Sequence, residues 1–171
     1  MQAVSLECGV QTKMAWQKNG TPNTLTSSGD DCDITDLTAK IFNVFLHHEI
    51  VSGAVSSDVT FNDNGNSVYA TRTNNDGGTD ATAASQTKLN YGIANNDEYI
   101  LMYMCSISGK EKLGITFAVS AGTGAGTAPQ RREEVFKFVP SPDADITRID
   151  FHNISGGSYD TDTNTSALGT D

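Results

Sequence analysis

A chain of 171 residues, 37% of them hydrophobic, is long enough to bury one sizeable core without disulfide or metal staples. It carries 21 acidic against 11 basic residues, a net charge of −10; such a surface repels phosphate and argues against a nucleic-acid partner. Its 16 glycines, and an excess of Asp over Glu of 15 to 6, favour turns and strands over helices.

The N-terminus, MQAVSLECGV, has neither the basic start nor the continuous apolar run of a secretory signal, and no stretch reaches the length of a membrane-spanning helix. Synthesis in a reducing cytoplasm, with no membrane partner, is the expectation. The three cysteines, Cys8, Cys32 and Cys105, are odd in number and far apart. That spacing predicts no disulfide framework, leaving a Cys8–Cys32 bridge as the alternative, and Cys105 reads as a small buried hydrophobe.

In chain order, residues 1–18 alternate, with Val4, Leu6, Cys8, Val10 and Trp16 on one parity. They read as one long or two short strands, or as an arm exchanged with a neighbour. Residues 19–37 are polar and turn-rich and read as loop. Ala39–Val51 is the first strong strand, apolar on both faces. Asp58–Asn62 and Val68–Thr73 read as a hairpin around Asn64-Gly65. Residues 74–86 read as loop and 88–93 as a strand.

The centre of the chain is YILMYMCSISGKEKLGITFAV, residues 99–119. Gly109-Lys110 suits a type II′ turn, so this stretch predicts a hairpin. Its return strand separates Leu113, Ile115, Phe117 and Val119 from Lys112, Gly114, Thr116 and Ala118. The outgoing strand is apolar on both faces and needs two covers. The face carrying Ile100, Met102 and Met104 is the predicted interface. A neighbouring copy is its expected cover, in a homo-oligomer such as a trimer, with the N-terminal strand as the alternative.

Residues 134–139 and 146–154 are further strands, with Phe136, Phe138, Ile149 and Phe151 inward. Residues 155–171 read as a Thr-, Asp- and Gly-rich tail. The whole predicts an all-β, antiparallel, jelly-roll-like β-sandwich of about eight strands over 38–154, between an N-terminal arm and loop (1–37) and an acidic tail.

Few polar patterns carry chemistry. Gly122, Gly124 and Gly126 precede a strand, not the helix that a phosphate loop needs. His47 and His48 point to opposite faces of a strand; His47 with Glu49 lacks a third ligand, and His152 is alone. Asp160, Asp162 and Asn164, with Asp171 eleven residues after Asp160, follow the spacing of a calcium loop, without its glycine or flanking helices. An acidic solvated tail is the other reading, and calcium the one cofactor considered. Arg131-Arg132-Glu133-Glu134 reads as a self-neutralising strand edge. Asn153-Ile-Ser and Asn164-Thr-Ser are formal glycosylation sequons. No nucleophile has a recognisable partner, so an enzyme is not expected.

Three stretches carry a resemblance: DITDLTAKIFNVFLHH, ISGKEKLGITFAVSAGTGAGTAPQRREEVFKFV and ITRIDFHNISGGSYDTDTNTSALGTD. In turn chemistry and strand pattern they resemble small β-sandwich structural proteins of environmental tailed phages and related viruses. The resemblance implies a capsid-decorating or tail-associated protein, located in the virion, with itself and a major capsid or tail protein as partners. It carries over no functional residue. The expected function is thus non-enzymatic coating or cementing of a particle. The alternative is a glycan-binding surface or tail module, for which Tyr69, Tyr91 and Tyr159 are the candidate sugar contacts.

Overall fold

The structure, a computed structural model, describes residues 15–93, 95–122, 124–141 and 144–171. Among these it is all strand and loop, with fourteen strands and no helix, and so no helix long and apolar enough to cross a membrane. In chain order they are β1 (Gln17–Lys18), β2 (Asn23–Thr24), β3 (Phe42–Glu49), β4 (Val51–Ser52), β5 (Ser57–Phe61), β6 (Tyr69–Asn75) and β7 (Ala81–Gln86). There follow β8 (Leu89–Asn90), β9 (Glu98–Cys105), β10 (Lys112–Ser120), β11 (Gln130–Phe138), β12 (Ile149–Asn153), β13 (Ser158–Tyr159) and β14 (Asn164–Thr170).

The architecture is an antiparallel sandwich of unequal sheets. Nine strands form one sheet in the order β1-β14-β3-β9-β10-β11-β6-β7, with β2 also paired to β14. Its inner face is covered by a small sheet, β12-β5-β8, and by the pair β13-β4. The division is therefore nine strands against three and two, where the sequence predicts about eight in all. Residues 30–37 lengthen the small sheet: Cys32 N donates to Phe151 O at 3.0 Å, and Ile34 exchanges bonds with Ile149 at 2.9 and 3.0 Å.

The central hairpin pairs Ile115 with Tyr103 and Phe117 with Leu101. Its connection is not the expected two-residue II′ turn. Lys110 N bonds Ile107 O at 3.2 Å and Gly109 has φ 74°, so the glycine stands third, where a type II turn needs positive φ. The Asn64-Gly65 hairpin is also corrected. Asn62 (φ 56°) and Asp63 (φ 53°) make the turn, closed by Asn64 N on Phe61 O at 3.1 Å, and β5 and β6 lie in different sheets. Residues 74–86 are not all loop. Asp76 (φ 52°) and Gly77 (φ 76°) turn the chain into β7, the sheet's outer strand.

Both termini of the described chain belong to the sandwich. β14 lies between β1 and β3 and matches β3 over seven residue pairs, from Asn164 opposite His48 to Thr170 opposite Phe42. Residues 155–171 are therefore no solvated tail: the inward parity Thr163, Thr165 and Ala167 is buried. Of the strand or arm expected over residues 1–18, residues 1–14 lie outside the described residues. β1 and β2, Gln17–Lys18 and Asn23–Thr24, pair with β14.

The core lies between the two layers. Phe45, Ile100, Met102, Phe136 and Phe138 descend from the large sheet onto Val59, Phe61, Ile149 and Phe151 of the small one. Phe61 meets Phe138 across the gap with ring centroids 5.3 Å apart, and Tyr69 stacks on Phe138 within the large sheet at 4.9 Å. Ile100, Met102 and Met104 are at most 3% exposed in this core, which corrects their assignment to an interface. Register explains why. Met102 pairs with Phe45 on β3 and with Thr116 on β10, and opposed residues share a face. The face that the small sheet leaves free is the other one.

Candidate interaction surface

The outer face of the large sheet is built by a strand whose alternation runs opposite to custom. β10 turns Lys112, Gly114, Thr116, Ala118 and Ser120 inward and Leu113, Ile115, Phe117 and Val119 outward. The inward residues are small because the neighbours have filled the space. A Cβ on Gly114 would stand 2.1 Å from Phe136 Cζ, and Ala118 faces Ile100. Lys112, fully buried, donates from Nζ to Ile107 O at 2.8 Å.

Register assembles the outward residues into rows. One runs Val44, Tyr103, Ile115, Val135; the next runs Leu46, Leu101, Phe117, Glu133; a third runs Phe42, Cys105, Leu113, Lys137. Tyr99 and Val119 extend the face beyond the second row. Its eight most open apolar side chains range from Phe42 at 39% to Leu113 at 55% exposed. Between them the surface is hollowed: about 340 Å³ under Trp16, Phe42, Tyr103 and Leu113, and about 270 Å³ under Tyr99, Leu101 and Phe117.

Along β11 and β6 the face ends in charge. Arg72 pairs with Asp80 at 3.2 Å, Arg131 with Glu133 at 3.5 Å and Lys137 with Glu111 at 3.2 Å. An apolar centre inside a polar rim is the usual anatomy of a protein–protein interface. The Arg131–Glu134 run is not an edge, because β11 lies between β10 and β6. Arg131 and Glu133 face out, while Arg132 Nη2 meets the buried Glu134 at 3.1 Å on the inner side.

The other candidate residues are placed elsewhere. His48 is exposed, while His47 and Glu49 turn into the sandwich. His47 stacks on Phe151 at 4.2 Å, its Nδ1 is 2.6 Å from Thr165 Oγ1, and its Nε2 is 3.7 Å from Glu49 Oε2. Burial lowers its pKa against the pull of Glu49, so the ring stays neutral and belongs to the packing. Glu49 accepts from Ser57 Oγ at 2.6 Å, and Ser57 accepts from Tyr159 OH at 3.0 Å. This chain of polar groups, sealed from solvent, ties β3 to β5 and β13.

Tyr69, Tyr91 and Tyr159 are at most 1% exposed, so none can contact a sugar in solution, and that assignment is corrected. Asp160 Oδ1 accepts from Ser28 Oγ at 3.0 Å and Thr161 N at 2.7 Å; Asn164 Nδ2 donates to Asn23 O at 3.0 Å and Thr24 Oγ1 at 2.6 Å. Asp162 stands between them at φ 72°. Asp171 is carried away by the length of β14, roughly 20 Å at strand rise, and pairs with Lys40 at 2.6 Å. The calcium-loop arrangement is thus not formed, because an extended strand replaces the loop. Among the described residues no three His, Cys, Asp or Glu are grouped to hold a metal ion.

Cys32 is buried, with Sγ 3.2 Å from Thr165 Oγ1, and Cys8 lies outside the described residues. Cys105 is partly exposed on the free face, not sealed in the core. Asn153 is buried and donates to Gly157 O at 2.6 Å and Asp30 Oδ1 at 3.0 Å, which leaves its sequon no room for a glycan. Gly122, Gly124 and Gly126 lie in the β10–β11 connection with no helix behind them.

One polar cluster was beyond sequence reasoning. Outside the small sheet, Asp31, Asp58, Lys88, Arg148, Asp150 and His152 surround a depression of about 360 Å³. They come from four segments distant in sequence. Lys88 pairs with Asp58, and Arg148 with Asp150 and, at 2.8 Å, with Asp33. Burial, then the nearby Asp150, raises the Asp33 carboxyl to about 6. Its aspartates, Asp31, Asp33, Asp58 and Asp150, outnumber its two fixed cations, Lys88 and Arg148, and the ion pairs join the layer's strands. Comparisons of the chain with protein-family models, curated proteins and solved structures find no match.

Proposed function

We propose that this chain is a non-enzymatic structural protein of a virus or phage particle, coating or cementing the shell through protein–protein contacts. The observation that carries the reading is the apolar face centred on Ile115 and Phe117, which the described residues leave uncovered. A soluble monomer seldom leaves a contiguous apolar patch of that extent in water. The resemblance of the three stretches quoted above supplies the particle; the face supplies the means of assembly.

Mass-spectrometric inventory of purified particles tests the role. The chain should appear in a fixed ratio to the major shell protein, and should bind assembled shells in a sedimentation assay. Its absence from purified particles would remove the reading. Specific binding on a glycan array, with no binding to shells, would move the protein to the lectin class instead.

A further inference from the structure

Resting on that structural role, we propose that the face of the large sheet left open by the described residues is closed by the same face of a second copy of this chain, in a face-to-face dimer about a twofold axis. Three observations select a second copy as the occupant.

The first is area. Aromatic side chains present roughly 150–250 Å² each and aliphatic ones somewhat less, so four of each at 39% to 55% exposure leave on the order of 600 Å² of side-chain surface. That stands at the top of the roughly 300–600 Å² range for the largest patch of an ordinary monomer and approaches the roughly 800 Å² that each partner contributes to a stable interface. The partly buried Leu46, Leu101 and Cys105 in the same rows add to it.

The second is charge. The chain carries −10 overall, and two such chains repel wherever their acidic surfaces meet. At the rim of this face three cations are matched by three anions within 3.5 Å. The rim is therefore locally neutral, and two copies meet there without net repulsion. A strongly basic or acidic partner would gain nothing from such a rim.

The third is shape. The face carries both projecting rings (Tyr99, Tyr103, Phe117) and the hollows beside them. A twofold axis brings each kind of feature against the other, the self-complementarity that an isologous contact requires. Two sheets packed face to face, as inside a sandwich, bury the full patch at once.

The test is sedimentation equilibrium and light scattering of the full chain at tens of micromolar. The expected result is twice the 18.2 kDa chain mass. Ile115→Asp and Phe117→Asp, each placing an unpaired charge in the dry centre, should raise the dissociation constant roughly 100-fold or more while the far-ultraviolet dichroism is kept. A measurement on the unaltered chain stands beside them. Its melting temperature should fall on dilution from about 100 to about 1 µM, as linkage demands. A monomeric mass with a concentration-independent melt overturns the proposal. So does a dimer that survives both substitutions, since it would use another surface. So does a monomer that associates only when residues 1–14 are deleted, which would make that segment the cover. A monomer still found stoichiometrically in particles ends this inference and leaves the structural role standing. A dimer absent from particles does the reverse.

Discussion

Glu49 on β3 and Glu98 on β9 stand directly opposite each other, and both side chains point into the sandwich at 3% and 2% exposure. Like charges opposed across a sheet repel, and burial magnifies the cost. Burial, then the Glu49 charge, pushes the Glu98 carboxyl up to about 8, although Ile93 N donates to its Oε1. Its Oε2 finds no partner among the described residues. A nearby group adds to the effect: burial raises Glu134 to about 7 against the pull of Arg132.

These raised values make stability fall with rising pH. Between the unfolded carboxylate range near 4.3 and the folded values, the native chain holds protons that the unfolded chain has released. The stabilisation is complete below about pH 4 and is lost progressively up to about pH 8, a change of a few kcal/mol. Melting temperature should therefore be higher at pH 5 than at pH 8. Glu98→Gln should raise the melt at pH 8 and flatten the profile. A profile that rises from pH 5 to pH 8 would contradict the pairing.

Gly114 is held by the Phe136 ring directly opposite it. Because an added methyl would meet that ring at 2.1 Å, Gly114→Ala should cost about 1–3 kcal/mol through overpacking. Chemical denaturation measures this. An unchanged midpoint would mean that the ring does not rest there.

The two faces of β9 should respond differently to truncation. Met102→Ala removes a fully buried side chain and should cost about 2–5 kcal/mol. Tyr103→Ala, on the free face, should change the unfolding free energy of the isolated chain by about 0.5 kcal/mol or less. Equal losses at both positions would show that the sheet is covered on both sides within one chain.

Deleting residues 155–171 should abolish folding, because β14 is an interior strand that bridges β1 and β3. A solvated tail would be removed without effect. Circular dichroism and proteolysis of the shortened chain separate the two outcomes.

Calcium at millimolar concentration should leave the melting temperature unchanged, since Asn164 and Asp171 stand at opposite ends of the flanking strand. A rise in melting temperature that Asp160→Asn and Asp162→Asn abolish would restore the site.

Much of the architecture was legible because local chemistry determines it. Turn residues and period-two patterns marked the strands around Phe42–Glu49, Glu98–Cys105 and Lys112–Ser120, and Asn, Asp and Gly marked most of the turns. β7 escaped because ATAASQ is an exposed outer strand: with no face to bury, it needs no apolar alternation. β14 escaped because the buried Thr163 and Thr165 look like surface residues until their neighbours supply partners, as His47 does for Thr165 at 2.6 Å.

The sequence by itself determined that residues 99–119 form a hairpin and that β9 is apolar on both faces. Only the tertiary structure decided which face lies inside. Alternation reports that two faces differ, but the direction is set by volume shared with neighbouring strands and with the opposing sheet. Met102, Ile100 and Phe136 fill the space between the layers, so β10 can present only Gly114, Thr116 and Ala118 there. Its Leu113, Ile115, Phe117 and Val119 are left outside, on the face that the described residues do not cover.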